Sequence, residues 1–164
     1  MINRNISIFG LLGLALMLSA GSCGKDELFC GFGDEYMVFG HFYGECAGEG
    51  CVEIYRVDKN SLIEETSEQY PGDEFYSFEE SVELSEEKRE LVIDLLDVVP
   101  DELWGESATV IGVPDGGDWG GIYVEVLSHK GQRYWLLDQN ETNMPAVYND
   151  FVDRINEKIA IINQ

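Results

Sequence analysis

IYVEVLSHKGQRYWLLD, residues 122–138, reads as two strands and a tight turn. Ile122 to Leu127 and Arg133 to Asp138 are rich in β-branched and aromatic side chains, which suit a pleated, half-buried surface. His129-Lys130-Gly131 joins them, with Gly131 free to take the turn conformation. So short a connection forces antiparallel pairing. A second pair lies upstream. Tyr36 to Tyr43 (YMVFGHFY) and Cys51 to Val57 (CVEIYRV) read as strands, with Val52 and Ile54 on one face and a glycine-bearing turn between them. The segments around these pairs are less regular. Leu62 to Gln69 is acidic and fits a short helix or a loop, Pro71-Gly72-Asp73 is a turn, and Phe75 to Phe78 fits a short strand or an aromatic flap. Thr109 to Ile111 reads as a further short strand.

Each strand pair is followed by a helix. Ser85 is a good N-cap, and Glu86 and Glu87 stand where the positive helix end favours acids. Leu91, Val92, Leu95, Leu96 and Val99 recur at helical spacing until Pro100 stops the run. Asp101 to Trp104 reads as a turn with an aromatic anchor. Pro145 opens a last helix to about Ile162, where Val147, Phe151, Ile155 and Ile159 form one apolar stripe. The order predicts an α+β domain over residues 36–164: an antiparallel sheet of about four to five strands with two helices packed on one face.

The first residues carry an address. Arg4 precedes an apolar run from Ile6 to Ala20, too short for a stable span, followed by small residues. Ala20-Gly21-Ser22-Cys23 resembles a bacterial lipobox. That resemblance implies a signal peptide over 1–22, lipidation of Cys23, and a tether over 23–35 that places the protein on the outer membrane. Gly24-Lys25-Asp26-Glu27 resembles the surface-export signal of Bacteroidetes lipoproteins; the plainer readings are a solvated tether and an ordinary secretory leader. The periplasmic face is the alternative location. No other apolar stretch is long enough for a membrane helix.

Composition narrows the partners. The net charge is -22, and removing the leader with Arg4 would make it -22 - 1 = -23. Such a balance disfavours nucleic acid, whose phosphates need Lys and Arg, and anionic lipid surfaces. It favours solubility and leaves a basic protein partner or divalent cations as functional readings. With Cys23 acylated, Cys30, Cys46 and Cys51 remain. Cys46 and Cys51 flank a turn in an oxidising compartment, and a Cys46–Cys51 bridge is expected; Cys30–Cys46 and Cys30–Cys51 are the other pairings.

Catalytic patterns do not stand out. There is no Gly-x-Ser-x-Gly elbow. His41 reads as a strand residue and His129 as a turn residue. Cys30, His41, Cys46 and Cys51 have the residue types of a zinc site without its usual spacing, and a disulfide is the more natural fate of the thiols. In Pro114-Asp115-Gly116-Gly117-Asp118-Trp119-Gly120-Gly121, Asp115 and Asp118 offer calcium-type oxygens, with Glu125 farther along, but the EF-hand spacing is missing. The plainer reading is a structural turn. No metal and no cofactor is assigned. Of Trp104, Trp119 and Trp135, Trp135 belongs in a core, and Trp119 between glycines is the exposed one, suited to stacking on a ligand. Asn140-Glu141-Thr142 reads as a turn. The loop holding Asp115, Asp118 and Trp119 is the expected contact site.

From Leu84 onward the order of events (LSEEKRELVIDLL, Pro114-Asp115, GGIYVEVLSHKGQRYWLLD, MPAVYNDFVDRI) loosely resembles emfourin-type protein inhibitors of thermolysin-like metallopeptidases. The resemblance covers about half the chain. It implies an α+β arrangement, and no inhibitory residue is transferred. The sequence therefore points to an anchored, acidic, non-enzymatic domain that binds a protein or glycan. An inhibitor docking a basic partner and an envelope hydrolase are the alternatives.

Overall fold

The computed structural model describes residues 35–46 and 50–164. The leader, Cys23, Cys30 and the tether up to residue 34 lie outside the described residues. The strands are β1 Tyr36–Phe42, β2 Val52–Asp58, β3 Leu62–Glu65, β4 Ser81–Glu83, β5 Val110–Ile111, β6 Gly121–Ser128 and β7 Gly131–Asp138. The helices are α1 Glu86–Val92, α2 Asp101–Gly105 and α3 Asn149–Ile162. The fold is α+β. One seven-stranded sheet runs in the order β4-β3-β2-β1-β6-β7-β5.

Central β1 pairs antiparallel with both β2 and β6, placing Phe39 opposite Tyr55 and Val124. It is covered on both faces, which explains its nearly continuous apolar run. Gly40 is required where β1 meets β2, because a Cβ there would lie 2.0 Å from the carbonyl oxygen of Glu53. One sheet face carries Phe39, Tyr55, Val124 and Trp135 against Val92, Leu95, Leu103, Phe151, Ile155 and Ile159 of the helical layer. The other carries Val38, Phe42, Ile54, Tyr123 and Leu136.

That second face is covered by a strap, residues 66–80, which has no regular secondary structure. Tyr76 and Phe78 pack inward onto it. The hydroxyl of Tyr134 donates to the carbonyl of Asp73, and that of Tyr123 lies 3.0 Å from the carbonyl of Glu74. Two buried carboxylates fasten the strap. Glu65 accepts the backbone N–H groups of Ser67, Glu79 and Glu80. Glu125 accepts the Tyr76 N–H at 2.9 Å, the Tyr36 and Tyr123 hydroxyls at 2.7 and 3.0 Å, and Gln132 Nε2 at 3.1 Å.

The sheet is larger than the sequence pattern predicts and is not wholly antiparallel, since β5 pairs parallel with β7. Three helices form rather than two. β3 arises in the acidic 62–69 segment, where Glu65 occupies a core position because backbone donors satisfy it. β4 is an exposed edge without apolar alternation. Phe75 to Phe78 is the aromatic flap and not a strand. The first helix is shorter than expected: α1 gives way to a 3-10 turn over Ile93–Asp97, and Leu91 is left 43% exposed. A 3-10 turn also precedes α3, so Val147 points outward at 49% exposure while Phe151, Ile155 and Ile159 keep the buried stripe. The three-residue period of such turns breaks a stripe drawn at 3.6. Asp101–Gly105 is a helical turn.

Candidate functional site: the loop end of the sheet

β5 runs into the glycine-rich loop 112–120, which returns the chain to β6. The loop starts beside Asp138, which is opposite Gly121 in the β6–β7 register. The buried Asp138 carboxylate accepts the N–H of Val113 at 2.8 Å and of Asn140 at 2.7 Å. Asp115 then takes a left-handed conformation, φ 59°, and its N–H donates to the Gly120 carbonyl at 2.7 Å. Aspartate tolerates this region better than most residues. Its Oδ2 accepts the Gly44 N–H at 2.9 Å and the Tyr70 hydroxyl at 3.0 Å. Asp115 thus ties together the loop, the β1–β2 connection and the strap. Burial, then the hydrogen bond to Asp115 and its charge, push the Tyr70 hydroxyl up to about 12.

Asp118 is also left-handed, φ 64°, and Gly120 at φ 72° closes the loop. A Cβ on Gly120 would lie 2.3 Å from the Tyr43 ring, so glycine is required for this close approach. Trp119 between them is 62% exposed. Of the three expected contact residues, Asp115 is spent on internal bonds, Asp118 edges a cleft, and Trp119 faces solvent.

Cys46 and Cys51 form a disulfide across the β1–β2 connection. This pairing removes their thiols from any zinc site that includes His41. Tyr43 N–H donates to the Cys51 carbonyl at 2.9 Å, and His41 Nε2 lies 2.9 Å from Glu53 Oε2 and 3.2 Å from the Gly50 carbonyl. Between this connection and the glycine-rich loop lies an open cleft of 330 Å³, lined by Tyr43, Glu45, Cys46, Gly50 and Asp118. A second cleft of 320 Å³ has Gly50, Val52, Glu53, Glu64 and Glu68 on its walls.

The other sequence candidates separate in space. Glu125 sits under the strap with its tyrosines, away from a calcium set with Asp115 and Asp118. Among the described residues no group of three or more His, Cys, Asp or Glu is placed to hold a metal ion. Trp104 packs edge-on against buried Trp135, so neither extends a stacking platform from Trp119. His129 is an exposed turn residue 3.5 Å from Glu35. Asn140 accepts from Thr142 N–H at 3.0 Å, as a turn residue does.

Sequence reading missed Tyr43, Glu45, Tyr70 and Asp138, which join the loop from three separate segments. No protein-family model matches the chain, and no curated protein is similar enough to count as a relative.

Proposed function

We propose that this protein is a lipid-anchored, surface-exposed envelope protein whose folded domain binds a protein or glycan and has no enzymatic role. The observation that carries the reading is Trp119. A large indole is held in solvent on a loop whose backbone is fixed by Asp138 and Asp115, beside a cleft edged by Glu45 and Asp118. Aromatic anchors on pre-organised loops supply contact area at small entropic cost, and they dominate binding energy where they occur. The two described cysteines are bridged, which removes their thiols as nucleophiles. Anchoring through Cys23 rests on the lipobox-like leader, and no helix among the described residues is long and apolar enough to cross a membrane.

Two measurements test this. Cys23→Ala should move the protein from the membrane pellet to the soluble fraction, and protease added to intact cells should degrade the anchored form while a periplasmic control survives. On glycan and protein arrays, Trp119→Ala should abolish the strongest signals. Undiminished signals would remove the loop from the site. The emfourin resemblance supplies a second reading, supported by the order α1, β6, β7, α3 found over its span. Equimolar protein should then block thermolysin cleavage of a peptide, and full residual activity would dismiss it.

A further inference from the structure

The charges of this domain are segregated across the sheet. Arg154 and Lys158 pair with Asp94 under the helical layer, and Lys88 reaches the carbonyl of Ile162. Arg89 bonds the Lys59 carbonyl, Lys130 pairs with Asp101, and Arg133 donates to the carbonyls of Trp104 and Glu106. All these contacts lie on the helix side or at the turns beside it. On the strap side the described cation is Arg56, stacked 4.3 Å over the Tyr36 ring. Between Lys59 and Lys88 the chain has no basic residue, while the strap and the edge strand β4 carry Glu68, Asp73, Glu74, Glu79, Glu80 and Glu83.

Within this acidic face lies an aromatic groove. Tyr70 and Phe75 are each 46% exposed, and with Pro71, Glu74 and Tyr76 they line a shallow depression of 30 Å³. The rings are fixed from below: Tyr70 edge-on against Phe42, Phe75 edge-on against Tyr134. Two half-exposed rings carry the chain's own cations, Tyr36 under Arg56 and Trp104 under Lys130. Tyr70 and Phe75 are held against Phe42 and Tyr134; Glu74 lines the groove beside them, Asp73 precedes it in the chain, and the Tyr70 hydroxyl is bonded to Asp115.

We propose that the Tyr70–Phe75 groove is a second docking surface, for an arginine-rich segment of a partner protein. Guanidinium groups stack on aromatic faces and pair with carboxylates at the same time, which an ammonium does less well. The surrounding charge speeds encounter and makes it salt-dependent. The groove adjoins the Trp119 loop through the Tyr70–Asp115 hydrogen bond, but Trp119 is not part of it and the proposal does not depend on Trp119.

The test uses the intact protein in non-ionic detergent and two synthetic peptides of equal length, one alternating arginine and glycine, the other with citrulline for arginine. Fluorescence anisotropy at low salt should show binding of the arginine peptide alone. Phe75→Leu keeps an apolar side chain against Tyr134 and removes the ring; it should weaken binding about tenfold. Asp73→Lys with Glu74→Lys should weaken it at least as much. The charge-matched control, Asp153→Lys with Glu157→Lys on exposed α3 positions, should change it less than about threefold. Equal losses from both charge reversals would mean attraction to net charge alone and would overturn the proposal. So would an unchanged affinity in Phe75→Leu, or a citrulline peptide that binds as well. Retained Trp119-dependent array signals in the face of any such failure would leave the anchored-receptor reading intact.

Discussion

Removing the Glu125 carboxylate should loosen the strap before it unfolds the domain. Glu125 is buried and accepts four hydrogen bonds, from Tyr36, Tyr76, Tyr123 and Gln132. The two tyrosine hydroxyls can turn elsewhere; Tyr123 already lies 3.0 Å from the Glu74 carbonyl, and the Gln132 amide can rotate to water. The Tyr76 N–H cannot turn. Four bonds at about 1 kcal/mol net each set the scale of Glu125→Ala at about 4 kcal/mol, a large part of the ~5–15 kcal/mol of a typical domain. Glu125→Gln keeps one carbonyl oxygen for the Tyr76 N–H and sheds the cost of a buried charge, so about 2 kcal/mol is expected. Urea unfolding followed by Trp fluorescence gives both numbers. Hydrogen exchange locates them: the Tyr76 amide should lose protection in Glu125→Ala and largely keep it in Glu125→Gln. A glutamate-specific protease should then cut the strap, at Glu74, Glu79 or Glu80, faster than the helical layer. An alanine variant within about 1 kcal/mol of the parent would refute the argument. A destabilised variant whose Tyr76 amide stayed protected would refute it equally.

The disulfide closes a short loop, so its removal by Cys46→Ser with Cys51→Ser should cost about 2 kcal/mol; thiol titration of the unreduced, acylated protein should find one reactive group, Cys30, and two or more would contradict the bridge. At position 115, Asn can accept both bonds and tolerates positive φ, so Asp115→Asn should stay within about 1 kcal/mol, whereas Asp115→Val loses the acceptor and strains the backbone and should cost about 3 kcal/mol; equal effects in urea unfolding would show that the φ 59° conformation and the Gly44 and Tyr70 bonds do not matter. Alkaline titration reports on the strap. Burial, followed by the neighbouring carboxylates, raises the hydroxyls of Tyr36, Tyr70, Tyr76 and Tyr123 above the ordinary value of 10.0. The folded state then holds protons that the unfolded state has released, so stability should be intact below pH 10 and fall as pH rises above it. Absorbance at 295 nm should lag a free-tyrosine curve and jump with unfolding; a smooth titration of all tyrosines near pH 10 with the fold intact would contradict the buried network.

The two hairpins were legible because their strands are rich in β-branched and aromatic side chains and each turn carries glycine. Val52 with Ile54, and the buried Trp135, fell where the alternation placed them. The stripe on α3 was legible from its helical spacing. The strap was not. Its apolar residues, Tyr70, Phe75, Tyr76 and Phe78, follow no period, because an irregular segment aims each side chain through its own backbone path. Its fastening points are glutamates, which patterning assigns to solvent. β3 was lost in the same way, since Glu65 is buried at a position where a strand reading calls for an apolar side chain. In the candidate site, the loop and its exposed Trp119 were visible as glycines around an indole. Tyr43, Tyr70 and Asp138 reach the loop only through tertiary structure, and nothing local marks them.

A chain so short of bases has an unusual way of burying acid. Buried Glu65, Glu125 and Asp138, and half-buried Asp115, have no lysine or arginine partner; each accepts one or more backbone N–H groups. Burial alone would raise the carboxyls of Glu65 and Asp58, yet hydrogen bonds hold both below the ordinary range, helped at Asp58 by the charge of Arg56. Such bonds are short-ranged and shielded from salt, unlike surface ion pairs. The domain can therefore leave one face almost free of cations without weakening its interior. Internal acids act as fasteners for irregular backbone, the strap and the glycine-rich loop above all. A face that is acidic and aromatic at once then follows from how the fold is held together, and it is this face on which the proposed arginine-rich segment would dock.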